Sequence, residues 1–480
     1  MRARTLRVLV VAAGAVLSQF IAAPAATAHP LGNFTVNRAS SIVVRPDAVL
    51  IAYAIDMAEI PTYQELPSID TNGDGAASST ELAAWARTEA RAILPGVDVR
   101  VDARPVSLTA GPATATEATG QAGLDTLRFD VTFTGRLDRA TGGIAYIDHN
   151  ADDGRIGWRE VTAIGDGVAL TGSTVPTAST SDELRSYPQD MLASPLHVSS
   201  MSASFAVTGP AQGIVPGAGG PPASTRRPQS EAAGFAGVLA SRGLPLVLFG
   251  LVLAFGFGAW HALLPGHGKT LMAGAMVGAG ARPRQALTVA TAVASMHSAT
   301  VIALGIAVVV LQRTFRPEVL YPWLGTLSGL AAVGVGAYLV HARWGAWRHQ
   351  RRHASGDVHG HTHTHTLDGG TSVLGPDGRL SKKGIATLAF AGGALPAPSA
   401  LLAMLAAIQV HRVAYGLALV AAFSAGLAAA LLGVGVGALR ARDAIVRRTS
   451  ARVARALPLA SAVLIVVAGL LVAARAARSI

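Results

Sequence analysis

The chain has 480 residues, of which 51% are hydrophobic and 14% charged, with a formal net charge of +11 and no cysteine. Ordinary globular chains carry about 25% charge, so this composition argues against a wholly soluble protein. The lack of cysteine excludes disulfides, thiolate metal sites and thiol redox chemistry. The positive charge falls mainly between apolar runs, where it reads as a topology signal, and no nucleic-acid surface is expected.

Arg2, Arg4 and Arg7 precede a mostly apolar run over 6–23, and Ala26-Thr27-Ala28 has the form of a signal-peptidase site. Residues 1–28 are therefore expected to be a secretory signal, a retained anchor helix being the alternative. Cleavage after Ala28 makes His29 N-terminal, where amine and imidazole together form a two-atom metal ligand.

Residues 29–208 are polar, and segments such as "SSIVVRPDAVLIAYAID" and "LDTLRFDVTFTGRL" alternate with strand period and carry β-branched residues. They predict an exported β-rich domain, a sandwich, with a helical insertion over 60–94. That insertion contains "DTNGDGAASSTEL", which fits D-x-[DN]-x-[DN]-G-x5-E. An EF-hand-like calcium loop would use Asp70, Asn72, Asp74, the Ala76 carbonyl, Ser78 through water, and Glu81. An Asx-rich turn capping a helix is the plainer reading. The exit helix "ELAAWARTEARAIL" is strong, whereas Pro61 and Pro67 leave the entering helix weak. A second stretch, 148–160, has Asp148, Asn150 and Asp152 at loop spacing, but its Gly and Glu fall one residue late, so it reads as a turn.

Residues 209–234 are rich in Gly, Pro and Ser and read as a linker. Beyond it, 235–480 is expected to be an α-helical polytopic membrane domain with six spans near 244–264, 287–311, 320–341, 385–409, 413–437 and 457–474. An exported N-terminal domain makes the first span run inward. The inside segments (264–286, 342–384, 438–456) then carry 16 Lys and Arg against 5 in the outside segments (312–319, 410–412, 475–480). The positive-inside rule thus agrees with the signal peptide. The expected location is the plasma membrane, with the C-terminus outside and 342–384 cytoplasmic.

"LAFGFGAWHALLPGHGKTLM" and "LAFAGGALPAPSALLAML" share Leu-Ala-Phe, glycines and then Leu-Pro, so that Leu264-Pro265 aligns with Leu395-Pro396. Each begins a set of three spans, which predicts a 3+3 inverted repeat. Paired Gly/Pro breaks in inverted halves point to a transport site near the midplane; two coincidental proline kinks are the alternative.

Ionisable groups within a membrane are costly and usually functional. Here they are His261, His267, Lys269 and His297, with Ser295, Ser298 and Thr300 nearby. Three imidazoles without thiolates suit nickel, cobalt, zinc or copper rather than magnesium or calcium. Imidazole binds metal only when neutral, so metal and proton compete for it. Pro265, Gly266, Pro396 and Pro398 would break the helices around the site, and Lys269 would bond helix-end carbonyls or repel the ion as the site resets. Histidines that only bond backbone carbonyls are the bland alternative. Between the third and fourth spans lie His349, His353, His359, His361, His363 and His365, a tract without zinc-finger spacing that reads as a flexible metal collector.

"HALLPGHGKT" resembles the His-x-x-x-Pro-Gly-His-Gly-Lys motif of the NicO-type nickel/cobalt efflux permeases. "MHSAT", "GGALPAPSAL" and "AFSAGLAAALLG" are similar to other segments of that family over about 240–475. The resemblance implies a six-span permease with His261, His267 and His297 as ligands. Ala397 stands where the family pattern has cysteine, so metal choice stays open. "GHGKT" is not a nucleotide loop, because Leu263 replaces its first glycine.

The expected function is a secondary transporter, not an enzyme, moving nickel or cobalt outward in exchange for protons. Its partners are metal ions, protons and membrane lipid, with a homo-oligomer left open. Uptake is one alternative, and a membrane-anchored calcium-dependent binding or sensor module is another.

Overall fold

A computed structural model describes residues 31–152, 154–188, 191, 195–216, 243–263, 272, 275–276, 282–353, 373, 380–448 and 451–478. The expected signal, most of the expected linker and the mature His29 lie outside them.

Strands β1 (Val36–Val44) and β2 (Ala48–Met57) form a hairpin, turned where the Arg45 amide donates to the Ala48 carbonyl at 2.7 Å. Eight further strands follow: β3 (Val97–Val101), β4 (Arg104–Pro105), β5 (Leu108–Thr119), β6 (Asp125–Arg136), β7 (Thr141–Asp148), β8 (Arg159–Gly165), β9 (Val168–Thr171) and β10 (Ser200–Val207). They make two five-stranded sheets, ordered β5-β6-β2-β1-β8 and β4-β3-β7-β10-β9. Period-two alternation explains the core. Leu127, Phe129, Val131 and Phe133 of β6 all turn inward and are buried, and they share one apolar cluster with Ile144, Tyr146 and Phe205 of the other sheet. β5, "LTAGPATATEAT", has no such alternation; it forms on the edge by pairing with β6.

Between β2 and β3 come α1 (Glu59–Ile69) and α2 (Ser79–Ile93). The entering helix is therefore complete, against the expectation from its prolines. Pro61 lies in the first turn, where an amide has no intrahelical acceptor to lose, and only Pro67 forfeits a bond. α2 buries Leu82, Trp85, Ala86 and Ile93 in the sandwich core, with Trp85 edge-on to Phe129 at 5.8 Å.

The membrane part comprises α3 (Leu244–Leu263), α4 (Pro283–Leu311), α5 (Pro317–His353), α6 (Lys382–Gly393), α7 (Pro398–Gln409), α8 (Val413–Arg448) and α9 (Ala451–Ala477). Five described helices are long and apolar enough to cross a membrane, or six when α6 and α7, bent by 76° at their break, count as one span. Large apolar side chains such as Val310 and Leu471 stand 69% and 67% exposed, a surface suited to lipid and not to water. α5 continues to His353, so His349 and His353 belong to a helix rather than to the flexible tract expected from sequence.

The packing pairs are α5 with α9, α3 with α8, α4 with α8, and α4 with α6. Small residues set the closest crossings. A side chain at Gly258 would strike the Phe423 carbonyl, and one at Gly426 the Phe255 carbonyl, so α3 and α8 touch backbone to backbone. At the α5–α9 crossing, a β-carbon on Gly329 would come 2.6 Å from the Ala473 nitrogen, and one on Gly469 2.8 Å from the Gly329 carbonyl.

The β-rich domain rests on one end of this bundle. Gln64 of α1 donates to the Gln312 and Phe315 carbonyls, at 2.8 Å each, in the turn between α4 and α5. Arg155 donates to the Gln64 side-chain oxygen at 3.2 Å and pairs with Glu318 at 3.7 Å. Phe34 tilts against Tyr321 with ring centres 4.9 Å apart. Ile60 and Leu124, fully buried, join an apolar cluster with Leu304, Val308, Leu401 and Leu405 of α4 and α7. Glu318, within the inter-span segment 312–319 of the sequence reading, is buried at this junction.

Leucine at Gly258 or Gly426 has only backbone to displace, and overpacking of this kind costs about 1–3 kcal/mol or more. Gly426→Leu is expected to abolish a monodisperse peak in detergent size-exclusion chromatography, while Gly433→Leu, with open space around it, leaves the peak intact.

Candidate functional site

His297 lies at the middle of α4, fourteen residues from either end, and is 3% exposed. His261, in the last turn of α3, brings its ring centre to 6.0 Å from that of His297. With metal–nitrogen bonds of about 2.0–2.1 Å, two imidazoles sharing one ion hold their ring centres about 5–6 Å apart, so the pair stands within reach of joint coordination. Phe423 of α8 completes a triangle of rings, 5.7 Å from His261 and stacked 5.8 Å from His297. The Ser298 and Ser424 hydroxyls bond to each other and tie α4 to α8 beside these rings.

The break between α6 and α7 faces the same point. Gly393 lets α6 press on α4, since a side chain there would collide with the Val293 carbonyl. Thr300 sets its hydroxyl 3.4 Å from the Gly393 carbonyl. Ala397 is the N-cap residue of α7 and Pro398 its first residue, a place where proline loses no bond. The Ala397 amide would be an orphan in an apolar surrounding. It donates instead to Nε2 of His297 at 3.2 Å. A neutral imidazole has one lone pair, so the hydrogen bond assigns the ring proton to Nδ1.

Of the residues expected to build the transport site, His261, His297, Ser298, Pro396 and Pro398 gather around this break. Ser295 is exposed on α4 and turns away. Pro265, Gly266, His267 and Lys269 lie outside the described residues, as do His359, His361, His363 and His365. Sequence reasoning missed Phe423, Ser424 and the Ala397 amide. The first two lie in "AFSAGLAAALLG", a stretch noted for its resemblance but not for these side chains, and the third is a backbone group that only the bend exposes.

A nickel/cobalt efflux system RcnA of Escherichia coli strain K12 is 27% identical to this chain over 221 residues, covering 40% of this chain and 79% of that protein. RcnA of Shigella sonnei is 27% identical over 225 residues, with the same coverage. A protein of Methanocaldococcus jannaschii, provisionally named a nickel/cobalt efflux system, is 29% identical over 219 residues, 46% of this chain and 89% of its own. The chain is a relative of the nickel/cobalt efflux systems. Each of these matches takes in less than half of it. No family model and no solved structure matches.

The acidic loop between α1 and α2 is a separate feature. Asp70 accepts the amides of Gly73 at 2.7 Å and Gly75 at 2.8 Å, and Asp74 accepts that of Ala76 at 2.9 Å. Gly73 and Gly75 have φ of +75° and +87°, which the tight loop requires. Glu81 closes a capping box with Ser78 and also accepts the Thr71 amide at 2.9 Å. Among the described residues no three His, Asp or Glu side chains converge as a ligand set. The loop carboxylates bond their own backbone, and a cation would have to take them from it. In 148–160, Asp148 is buried and accepts from Tyr53 at 2.9 Å, in keeping with the turn reading of that stretch.

The Ser78 hydroxyl and amide, joined by those of Thr71, hold the Glu81 carboxyl at about 2. A lowered folded-state value gives stability that is present above the ordinary carboxyl range and lost as pH falls through the folded value. Hydrogen exchange of the α2 amides is expected to speed up between pH 4.5 and about 2, and Glu81→Gln to remove that dependence.

Proposed function

We propose that the protein is a secondary transporter that moves nickel or cobalt outward across the plasma membrane in exchange for protons. The observation that carries this reading is the pairing of His261 and His297 against the broken α6–α7 span, in a chain related to proteins named nickel/cobalt efflux systems. Two imidazoles, His297 at mid-helix and His261 in the last turn of α3, without thiolate or carboxylate beside them among the described residues, form a borderline-soft partial shell suited to these ions. His267 is proposed as the third ligand, on its place in the motif. Because a protonated imidazole cannot coordinate, proton entry expels the ion and ion entry expels protons. Lys269 is proposed to steady the broken first span, and the histidines of 349–365 to collect ions at the cytoplasmic mouth.

The proposed topology sets the β-rich domain outside. Its supports are the signal-like N-terminus, the excess of Lys and Arg in the inner segments and the contact of the domain with 312–318, a segment on the same side in that topology. The proposed inverted repeat relates α3–α4–α5 to α6/α7–α8–α9. Such a relation exchanges the α3–α8 and α4–α6 contacts and maps α5–α9 and α4–α8 onto themselves, and these four largest helix contacts support it, while α5–α6 and α7–α8 stand outside it. Loop 70–81 is proposed as a weak calcium site because its oxygens keep EF-hand spacing between two helices.

In vesicles loaded with nickel or cobalt, wild-type protein is expected to carry the ion against an imposed pH gradient. His261→Ala and His297→Ala should each lower the rate at least about tenfold, in line with the cost of losing even outer-shell metal partners. Equal rates in wild type and His297→Ala would remove the site. Cells lacking the protein should become more sensitive to the metal; greater tolerance with lower uptake would reverse the direction. Terbium luminescence titrated with calcium tests the loop, with Asp70→Ala expected to abolish the signal and leave transport in place.

A further inference from the structure

We propose that the β-rich domain is the outer gate of the permease, and that α7 carries ion binding at His297 to that gate. The inference rests on the transport reading above and adds a role for the exported domain.

The first observation is a plug. Ile60 of α1 and Leu124 close the bundle end formed by Leu304, Val308, Leu401 and Leu405. An ion leaving the site along α4 and α7 toward this end meets packed hydrocarbon, in which a bare divalent charge is prohibitively costly. The exit therefore opens only when the plug separates. The second observation is the polar clamp beside this apolar plug. Gln64 bonds two carbonyls of the 312–315 turn, and Arg155 joins Gln64 to Glu318. Polar clamps of this kind exchange with water at low net cost, which is what a reversible joint needs.

The third observation links the clamp to the site. α7 has twelve residues and is about 18 Å long. At its inner end the Ala397 amide uses the one lone pair of neutral His297. A metal ion bound to His297 through either nitrogen takes that lone pair, and the ring proton, when it moves to Nε2, then opposes the amide. Ion binding and this cap are mutually exclusive. At its outer end α7 reaches the gate: Gln409 donates to the Gly75 carbonyl at 3.4 Å, and Leu401 and Leu405 touch the plug cluster. An ion at His297 thus releases the inner anchor of the helix on which the plug sits.

The chain is free of cysteine, so pairs can be introduced directly. Gln64→Cys with Gln312→Cys, joined by a short bis-methanethiosulfonate, fastens the gate. Nickel transport should fall at least tenfold on crosslinking and return on reduction; an undiminished rate in the crosslinked protein overturns the proposal. Spin labels at the exposed Ser68→Cys and Thr314→Cys, whose side chains take no part in the clamp, give a readout that needs no transport. The distance should gain a longer component when nickel or cobalt is added, and His297→Ala should abolish that response. A single distance unchanged by either metal overturns the gate. A wild-type protein that moves neither metal refutes the transport reading instead, and the spin distance alone then decides the gate.

Discussion

One hydrogen bond, from the Ala397 amide to Nε2 of His297, holds together two facts that are otherwise at odds. A helix broken inside a membrane exposes an amide that lipid cannot satisfy, and a histidine buried there needs a partner for its lone pair. Each group answers the need of the other. The bend of 76° between α6 and α7 is tolerable because His297 faces it, and His297 is oriented because the bend is there. An ion that binds imidazole must take over one side of this exchange, so the proposed transport chemistry and the shape of the fold draw on the same lone pair.

The surroundings of this bond are built from small residues. Gly393 brings α6 onto α4 a turn before His297, and the Ser298–Ser424 contact fixes α8 beside it. Phe423 then sets an apolar ring against both imidazoles. The proton-exchange reading gains from that apolar neighbour: the drier the site, the more sharply a proton and a divalent ion exclude each other.

Much of this was legible in the sequence. The spans follow from hydropathy, the break from "GGALPAP", and the importance of His297 from its depth in an apolar run. What the sequence could not reveal is which partner each polar group meets. Ala397 looks inert as a side chain, and its amide matters only because Pro398 starts a new helix beside α4. Glu318 reads as a loop residue until Arg155, more than 160 positions earlier, is folded against it. β5 went unpredicted, and the entering helix α1 was expected only as a weak one, for a similar reason. Local propensity disfavours both, and tertiary pairing with β6 and packing on the bundle override it. The acidic loop has EF-hand spacing, and that spacing did not disclose that Glu81 also caps α2.

The reciprocal glycine crossings carry a mechanical corollary. Where Gly258 meets Phe423 and Gly426 meets Phe255, main chain lies against main chain, and no compliant side chains remain to let one helix slide along the other. The α5–α9 contact is built the same way. These pairs form two stiff ribs, and the elbow at 394–397 is the sharp break between described helices. Alternation between the two sides of the membrane would then be rotation about one joint rather than a rearrangement of the whole barrel of helices.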